Sequence, residues 1–381
     1  MNFSFSPETE RFRQDVRQVI ADVFTREMEE AYHRSGTFDC PEVNRALAER
    51  GLLERGVPGL GKGDPIELWL LYNELEKAGV PTDALATTMM VAGVINHVGT
   101  QEQKDRVLPG VLRGEQLICM GYSEPDYGSD VASITTRAVR DGDEWVINGA
   151  KMWTTMAHVA DWVILLTRTN TEVPKHKGLT MFILPMSTPG ISVDAVPTMS
   201  DERTNATFYD DVRVGDECVL GDVDGGWHVM GVVLSFERGV MGNTNVGVPL
   251  LRHFRHWAAS VGVADDPVVR ERMARIAIDN EVSKLLTQRA AWLAAKGELP
   301  GVEGSMTKVF ATEAYQKATK WLQQASGIAG LLHMGEPGAA GDGRVEFDAR
   351  HSPVMTIYGG TSEINRNNIA ERHLGLPKAR R

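Results

Sequence analysis

Apolar and polar residues recur with a helical period in the first part of the chain. SPETERFRQDVRQVIADVF begins with a serine, carries acidic residues early and has apolar side chains at helical spacing. The segments EVNRALAERGLL, PIELWLLYNELEKAG and TQEQKDRVLPGVLRGE continue this pattern. We therefore predict a helical N-terminal domain over residues 1–117.

The pattern changes to short strands over residues 118–223. Strand segments rich in β-branched and aromatic residues are separated by Gly, Pro, Asp and Asn; they are LICMGYS, EWVINGAKMWTT, DWVILLTRT, GLTMFILPM, GISVDAV and ATFYDDVRV. RDGDEWVINGAK predicts a hairpin with an Asn-Gly at one end. A small β-barrel or sandwich is the expected middle domain.

Helical spacing returns over residues 224–381. DPVVRERMARIAIDNEVSKLLTQRAAWLAAKG and SMTKVFATEAYQKATKWLQQASG each predict a long helix, and TSEINRNNIAERHLGLP predicts the last one. The glycine-rich GEPGAAGDG predicts a loop. The predicted fold class is α+β, with a strand-rich domain between two helical ones.

Composition narrows the function classes. The 381 residues carry a net charge of -11, and no long basic block precedes the closing PKARR, so nucleic acid is not the expected partner. Cys40, Cys119 and Cys218 lie far apart without metal spacing, and we expect neither a disulfide framework nor a metal. No apolar run approaches the roughly 20 residues of a membrane span. Without a signal-peptide pattern at its start, the chain is expected to be soluble and cytoplasmic.

One apolar segment contains a carboxylate and a guanidinium side by side. WHVMGVVLSFERGVMGNTN holds, apart from His228, only two ionisable side chains, Glu237 and Arg238. A glutamate usually forms a structural ion pair or lies at an exposed helix end. Here the helix is apolar on nearly every side, which predicts burial, and a buried carboxylate is unstable unless it is paired or protonated. A carboxyl with a raised pKa suits a general base near neutral pH, so Glu237 is a candidate.

Three other segments have both a structural and a ligand-binding interpretation. CMGYSEPDYGSD is a plain loop, or it presents N–H groups and the hydroxyls of Ser123 and Ser129 to a ligand. Trp153 in KMWTT is a core residue, or a flat face for an aromatic cofactor beside a threonine hydroxyl. The Gly-Gly-Thr of IYGGTSEINR is an ordinary turn or an anion site at a helix start.

Taken together and in this order, these segments resemble the acyl-CoA dehydrogenase family, flavoproteins that desaturate acyl thioesters. YSEPDYGSD resembles the flavin-loop signature, NGAKMWTT the second signature and YGGTSEINR the C-terminal one. The resemblance covers essentially the whole chain. It implies a helical N-terminal domain, a middle β domain and a C-terminal four-helix bundle, commonly in a tetramer. It also implies FAD as cofactor, acyl-CoA as substrate and an electron-transferring flavoprotein as electron acceptor.

The resemblance implies a role for each matched residue. Those expected at the flavin, with the indole stacked on the isoalloxazine, are Met120, Tyr122, Ser123, Trp153 and Thr155. Those expected at the rest of the dinucleotide, partly from a neighbouring subunit, are Ser129, Thr361, Glu363, Gln324 and Gly327. Those expected at the substrate are Ser129, Arg238 and Tyr358.

One departure from the family concerns the catalytic base. Many members place a glutamate between the Tyr and the Gly of the C-terminal signature, where this chain has Gly359. A subset resembling isovaleryl-CoA dehydrogenase and bacterial enzymes for bulky acyl chains places it before the arginine, at Glu237. We predict that Glu237 removes the α-proton and that the Gly359 N–H binds the thioester oxygen. A branched, cyclic or steroid-derived acyl group is the expected substrate.

Two further departures concern FAD contacts between subunits. The usual R-x-x-F-G segment is not evident, and Ile328 interrupts the usual double glycine. A homotetramer and a heterotetramer with a related subunit both stay open, as does a non-catalytic or FAD-incomplete subunit. An oxidase of the same fold is a further alternative. A purely structural scaffold would need neither KMWTT nor YSEPDYGSD.

Overall fold

The computed structural model describes residues 4–57, 60, 63–240, 246–298 and 301–378, with the side chains of residues 235–240 outside the described part. The chain divides into two compact units, one of residues 1–68 and 81–236 and the other of residues 69–80 and 237–381. The boundaries of the three domains expected from the sequence stay predictions.

Helices form the first part of the chain, as predicted. Their bounds are α1 (Pro7–Val23), α2 (Arg26–Ser35), α3 (Pro41–Glu49), α4 (Leu52–Arg55), α5 (Pro65–Ala78), α6 (Asp83–Val98) and α7 (Gln101–Leu112). Two of them, α2 and α6, lie outside the segments that the apolar spacing identified. Ser6 caps α1 by accepting the Thr9 N–H at 3.1 Å, which confirms the predicted serine start. Thr100 and Gln103 form a capping box at α7.

All six predicted strand segments are strands of one sheet. The strands are β1 (Ile118–Gly121), β2 (Arg137–Asp141), β3 (Glu144–Lys151), β4 (Trp162–Arg168), β5 (Leu179–Pro185), β6 (Ile191–Pro197), β7 (Arg203–Val214) and β8 (Val219–Leu220). Their order is β6-β7-β3-β2-β4-β5-β8, and β1 pairs with β4 in parallel. The buried core of the sheet includes Trp145, Leu165, Phe182 and Tyr209.

The predicted hairpin is present, and its Asn-Gly has a role other than the turn. Strands β2 and β3 are antiparallel and meet at Gly142, whose φ is +62°. Asn148 and Gly149 lie inside β3, where the register against β7 shifts after Ile147. Gly149 has φ +149°, and a Cβ there would lie 2.6 Å from the Thr136 hydroxyl. The bulge therefore requires glycine.

The second unit is helical. It takes α5 from residue 69 onward and the end of α8 (Gly226–Val240), which begins in the first unit. Its other helices are α9 (Gly247–Ser260), α10 (Pro267–Ala295), α11 (Glu303–Ser326), α12 (Arg344–Met355) and α13 (Ser362–Asn368). Leu250, Phe254, Tyr315 and Leu322 belong to its core. The predicted GEPGAAGDG loop closes in a short 3-10 turn, Ala340–Gly343, immediately before α12. Within the described residues, no helix combines the length and apolarity that crossing a bilayer requires.

Candidate active site

Two of the sequence segments meet at the end of β3 in the first unit. Lys151, its last residue, donates from Nζ to the Tyr122 carbonyl at 3.1 Å and pairs with the Glu124 carboxylate at 2.9 Å. The Met152 N–H donates to the Ser123 carbonyl at 2.9 Å. Tyr122 and Ser123 therefore lie directly beside the first residues of KMWTT.

The Glu124–Lys151 pair is buried, with exposed fractions of 4% and 0%. Besides the ammonium, Glu124 accepts the Thr135 N–H at 2.7 Å, the Thr135 hydroxyl at 2.8 Å and the Thr136 N–H at 2.8 Å. Burial alone would raise the pKa of Glu124, but Lys151 and these donors lower it to about 2. Burial lowers the pKa of Lys151 to about 8 against the opposing effect of Glu124. Both groups are charged at neutral pH.

Trp153 is exposed, which excludes its interpretation as a core residue. Its side chain is 57% exposed, and its backbone has φ +64°. The left-handed conformation costs a residue with a Cβ about 1–2 kcal/mol, so neighbouring contacts must hold it. The Thr154 N–H donates to the Asn205 carbonyl at 2.9 Å, and the Asn205 amide donates to the Thr154 carbonyl at 3.0 Å. The indole therefore lies at the surface, one residue after Met152, whose N–H binds the Ser123 carbonyl.

The other candidates of the first unit are Thr155, Met120 and Ser129. Thr155 is partly buried, with its hydroxyl 3.2 Å from the hydroxyl of Thr204 on β7. Met120 lies in β1 opposite Ile164 of β4. Ser129 is exposed in the outer part of the loop, next to an Asp130 carboxylate that pairs with the Lys175 ammonium at 2.7 Å.

The C-terminal signature of the second unit is a turn into a helix, as predicted. Gly359 and Gly360 have φ values of +62° and +82°. Thr361 caps α13 by accepting the Ile364 N–H at 3.2 Å. The Asn365 amide donates to the Gly360 carbonyl at 2.8 Å. The turn therefore leads to an exposed Gly359 and, in the first turn of α13, to an exposed Glu363.

Tyr358 precedes this turn and is held from α11 and α12. Its hydroxyl donates to the Met355 sulfur at 2.7 Å. The Lys308 ammonium lies 4.3 Å from the Tyr358 ring centroid and donates to the Met355 carbonyl at 2.8 Å. The cation and the methionine together fix the orientation of the ring.

The Q-x-x-G segment ends α11 with exposed residues. Gln324 is exposed, and its carbonyl accepts the Gly327 N–H at a residue with φ +56°. Ile328, which interrupts the double glycine, is 81% exposed.

The predicted base lies where only the backbone is described. Glu237 and Arg238 belong to α8, and their side chains lie outside the described residues. The burial and the raised pKa expected for Glu237 stay predictions.

Reasoning from the sequence missed the Glu124–Lys151 pair, although both residues stand inside the quoted segments YSEPDYGSD and NGAKMWTT. The available signal was the single charge of NGAKMWTT, Lys151, opposite a segment with three acids, Glu124, Asp126 and Asp130, because the two signatures were expected to meet at one cofactor. An acid and a base in such segments are more stable as a buried pair than alone.

The chain runs from helices through a sheet to helices, and each of its two units holds one cluster of signature residues. Three family models match the chain: the N-terminal domain of acyl-CoA dehydrogenase at residues 6–115, the middle domain at 119–212 and the C-terminal domain at 224–374. Acyl-CoA dehydrogenase FadE26 of Mycobacterium tuberculosis is 35% identical over an alignment of 402 positions that covers 100% of both chains. The chain belongs to the acyl-CoA dehydrogenase family, whose members are oxidoreductases.

Other relatives agree with this assignment. Acyl-CoA dehydrogenase FadE34 of Mycobacterium tuberculosis is 36% identical over 345 residues, which cover 89% of this chain and 47% of that protein. The solved structure described as the Tcur3481-Tcur3483 steroid ACAD has 33% identity and a TM-score of 0.89, with both chains covered completely. The ChsE4-ChsE5 complex from Mycobacterium tuberculosis has 34% identity and a TM-score of 0.88, also over both whole chains. These matches confirm the predicted α+β fold and enzyme class.

Proposed function

We propose that the chain binds FAD at the Tyr122–Trp153 group and dehydrogenates an acyl-CoA between its α and β carbons. The observation that carries the proposal is the 57% exposed Trp153, held at φ +64° beside Tyr122 and Ser123. An exposed indole in a strained backbone offers a flat face for an aromatic ring, and Ser123 and Thr155 offer hydroxyls at its edge. These residues fit a flavin, on which the family depends. FAD, when bound, would accept the hydride from the β-carbon.

The catalytic base in this proposal is Glu237, which takes the α-proton on its carboxylate. The C-terminal signature has no acid at Gly359, and two successive positive φ values at Gly359 and Gly360 favour glycine there. The Gly359 N–H remains available to the thioester carbonyl, because a backbone donor does not depend on the side chain. Arg238 and Tyr358 would contact the acyl-CoA.

The proposed substrate is a bulky acyl group, branched or steroid-derived. A glycine at position 359 leaves open the volume that a glutamate would fill. A similar solved structure is described as a steroid ACAD. An electron-transferring flavoprotein would be the acceptor of the electrons.

The experiment is a visible spectrum of the purified chain followed by a dye-coupled screen of straight, branched and steroid acyl-CoA thioesters. We expect bound FAD and the fastest turnover with a bulky thioester. Oxygen consumption without an added acceptor would identify an oxidase instead. Flavin absorbance with no turnover of any thioester would contradict the proposed reaction.

A second candidate is a subunit whose FAD site is complete only in a heteromer. The exposed Ile328 stands in place of a glycine that FAD contacts between subunits usually include, and two similar solved structures are described by paired protein names. Flavin content of the chain expressed alone and with a related subunit separates the candidates. FAD retained only after co-expression would favour the heteromer.

A further inference from the structure

The buried Lys151–Glu124 pair contacts the backbone of the proposed flavin edge. Its ammonium and carboxylate are 2.9 Å apart, and both side chains are almost completely buried. A buried ion pair often contributes little net stability compared with an apolar pair of the same volume. A contribution to stability is therefore a weak explanation for the presence of this buried pair.

Lys151 makes a second contact, and this one polarises a peptide bond. Its Nζ also donates to the Tyr122 carbonyl at 3.1 Å. The carbonyl of Tyr122 and the N–H of Ser123 belong to the same peptide group. A charged donor on the carbonyl withdraws electron density and makes the N–H at the other end a stronger donor. Among the described residues, none accepts a hydrogen bond from this Ser123 N–H.

Glu124 fixes the surroundings of the same peptide. Its carboxylate accepts both N–H groups of Thr135 and Thr136. The Thr136 hydroxyl donates to the Ala150 carbonyl at 3.2 Å. The Ser123 carbonyl is meanwhile held by the Met152 N–H. The peptide that carries the Ser123 N–H therefore has little freedom to rotate.

We propose that Lys151 is a positioning residue for FAD, which orients and polarises the Tyr122–Ser123 peptide so that the Ser123 N–H donates to the flavin edge. Glu124 keeps the ammonium charged and in place. A stronger donor at the flavin edge binds the electron-rich reduced cofactor more tightly than the oxidised one, and this raises the reduction potential. The inference rests on the FAD binding proposed above.

The test compares variants of the full chain. Lys151→Met removes the charge and both hydrogen bonds of the ammonium. The double variant Lys151→Met/Glu124→Gln also removes the carboxylate charge that would otherwise remain buried and unpaired. Arg213→Met is the matched control, because it removes a cation from an exposed pair with Asp141 and Glu144 on the same sheet.

Three quantities are measured for each variant: the urea midpoint of unfolding, the FAD dissociation constant and the reduction potential against a reference dye. We expect the double variant to recover most of the stability lost by Lys151→Met. Its FAD dissociation constant should remain roughly three- to tenfold above that of the wild type, and its potential should remain lower. Arg213→Met should match the wild type in all three.

A purely structural role predicts that affinity and potential recover together with stability, and that result would overturn the inference. If the double variant does not fold, Lys151→Gln decides, since its amide can still donate but carries no charge. A folded Lys151→Gln with an unchanged potential would also overturn it. A wild-type chain that binds no FAD, alone or with a related subunit, would instead overturn the proposed function.

Discussion

The candidate residues of the two units are held in place in different ways. In the first unit, Lys151 binds Tyr122 and Glu124 across 29 and 27 residues of sequence, and its ion pair with Glu124 is almost completely buried. In the second unit, the bonds that fix Gly360 and Thr361 span five and three residues and lie near the surface. A local turn loses only its own contact when a side chain changes, whereas a buried pair leaves an uncompensated charge. Substitutions in the Lys151–Glu124 pair should therefore destabilise the protein much more than substitutions in the Gly360–Thr361 turn.

The largest expected effect is on turnover and concerns Glu237, which belongs to the second unit. We expect Glu237→Gln to lower kcat by about 10²- to 10⁴-fold, because an amide cannot take the α-proton. FAD content and acyl-CoA binding should be retained. Glu271→Gln, at an exposed acid on α10 that pairs with Arg275, is the control. Near-native turnover of the Glu237 variant would show that the base lies elsewhere.

The next largest effect is on stability and compares one ion pair in each unit. Lys151→Met should lower the free energy of unfolding by about 3–5 kcal/mol, because Glu124 is left buried and unpaired. Arg366→Met breaks the pair of Arg366 with Glu313, in which the two side chains are 52% and 37% exposed. This variant should change the free energy of unfolding by at most about 1 kcal/mol. Urea titrations of both variants measure the difference. Equal losses would remove the contrast between the units.

The pH dependence of stability sharpens the comparison. The pKa of Glu124 lies at about 2 in the folded chain, below its ordinary value of 4.5. A depressed folded pKa contributes stability that is present above pH 4.5 and is lost as the pH falls from 4.5 toward 2. The loss attributable to this group is up to about 3 kcal/mol. Urea titrations at several acidic pH values should show a steeper decline for the wild type than for Glu124→Gln. Identical slopes would contradict the assigned ion pair.

The smallest expected effect is at the cap of α13. Thr361→Ala removes the acceptor of the Ile364 N–H and should lower the free energy of unfolding by about 1 kcal/mol. Thr361→Ser keeps a hydroxyl and is the control. A larger loss in the alanine variant would mean that this turn also depends on contacts beyond its own cap.

Apolar spacing does not predict every helix, because a helix that is buried on all sides has no alternation of apolar and polar residues. Helix α6 has buried residues at eleven positions, from Ala84 to Ile95, so no polar face marks it. Helix α12 contains buried charges instead. Its Asp348 is paired with Arg344 at 3.0 Å, so the segment looks polar in sequence although it belongs to the interior. The strand segments were easier to predict, since each is a short run of β-branched and aromatic residues between turn residues.

For the candidate site, the sequence identified the segments, and the structure identified the contacts between them. Thr361 was correctly placed at a helix start, because a cap depends on residues three apart. The outward position of Trp153 was not decidable, because it depends on Asn205 about fifty residues later.

The sequence by itself determined the α+β class, the strand segments, the starts of α1 and α13 and the family, since each depends on local spacing or on short motifs. Only the tertiary structure decided that Lys151 and Glu124 form a buried pair under the Tyr122–Ser123 peptide. The reason is physical: hydrogen bonds within a turn are specified by neighbouring residues, whereas the pairing of two distant charges depends on how the strands between them align and on the exclusion of water around them.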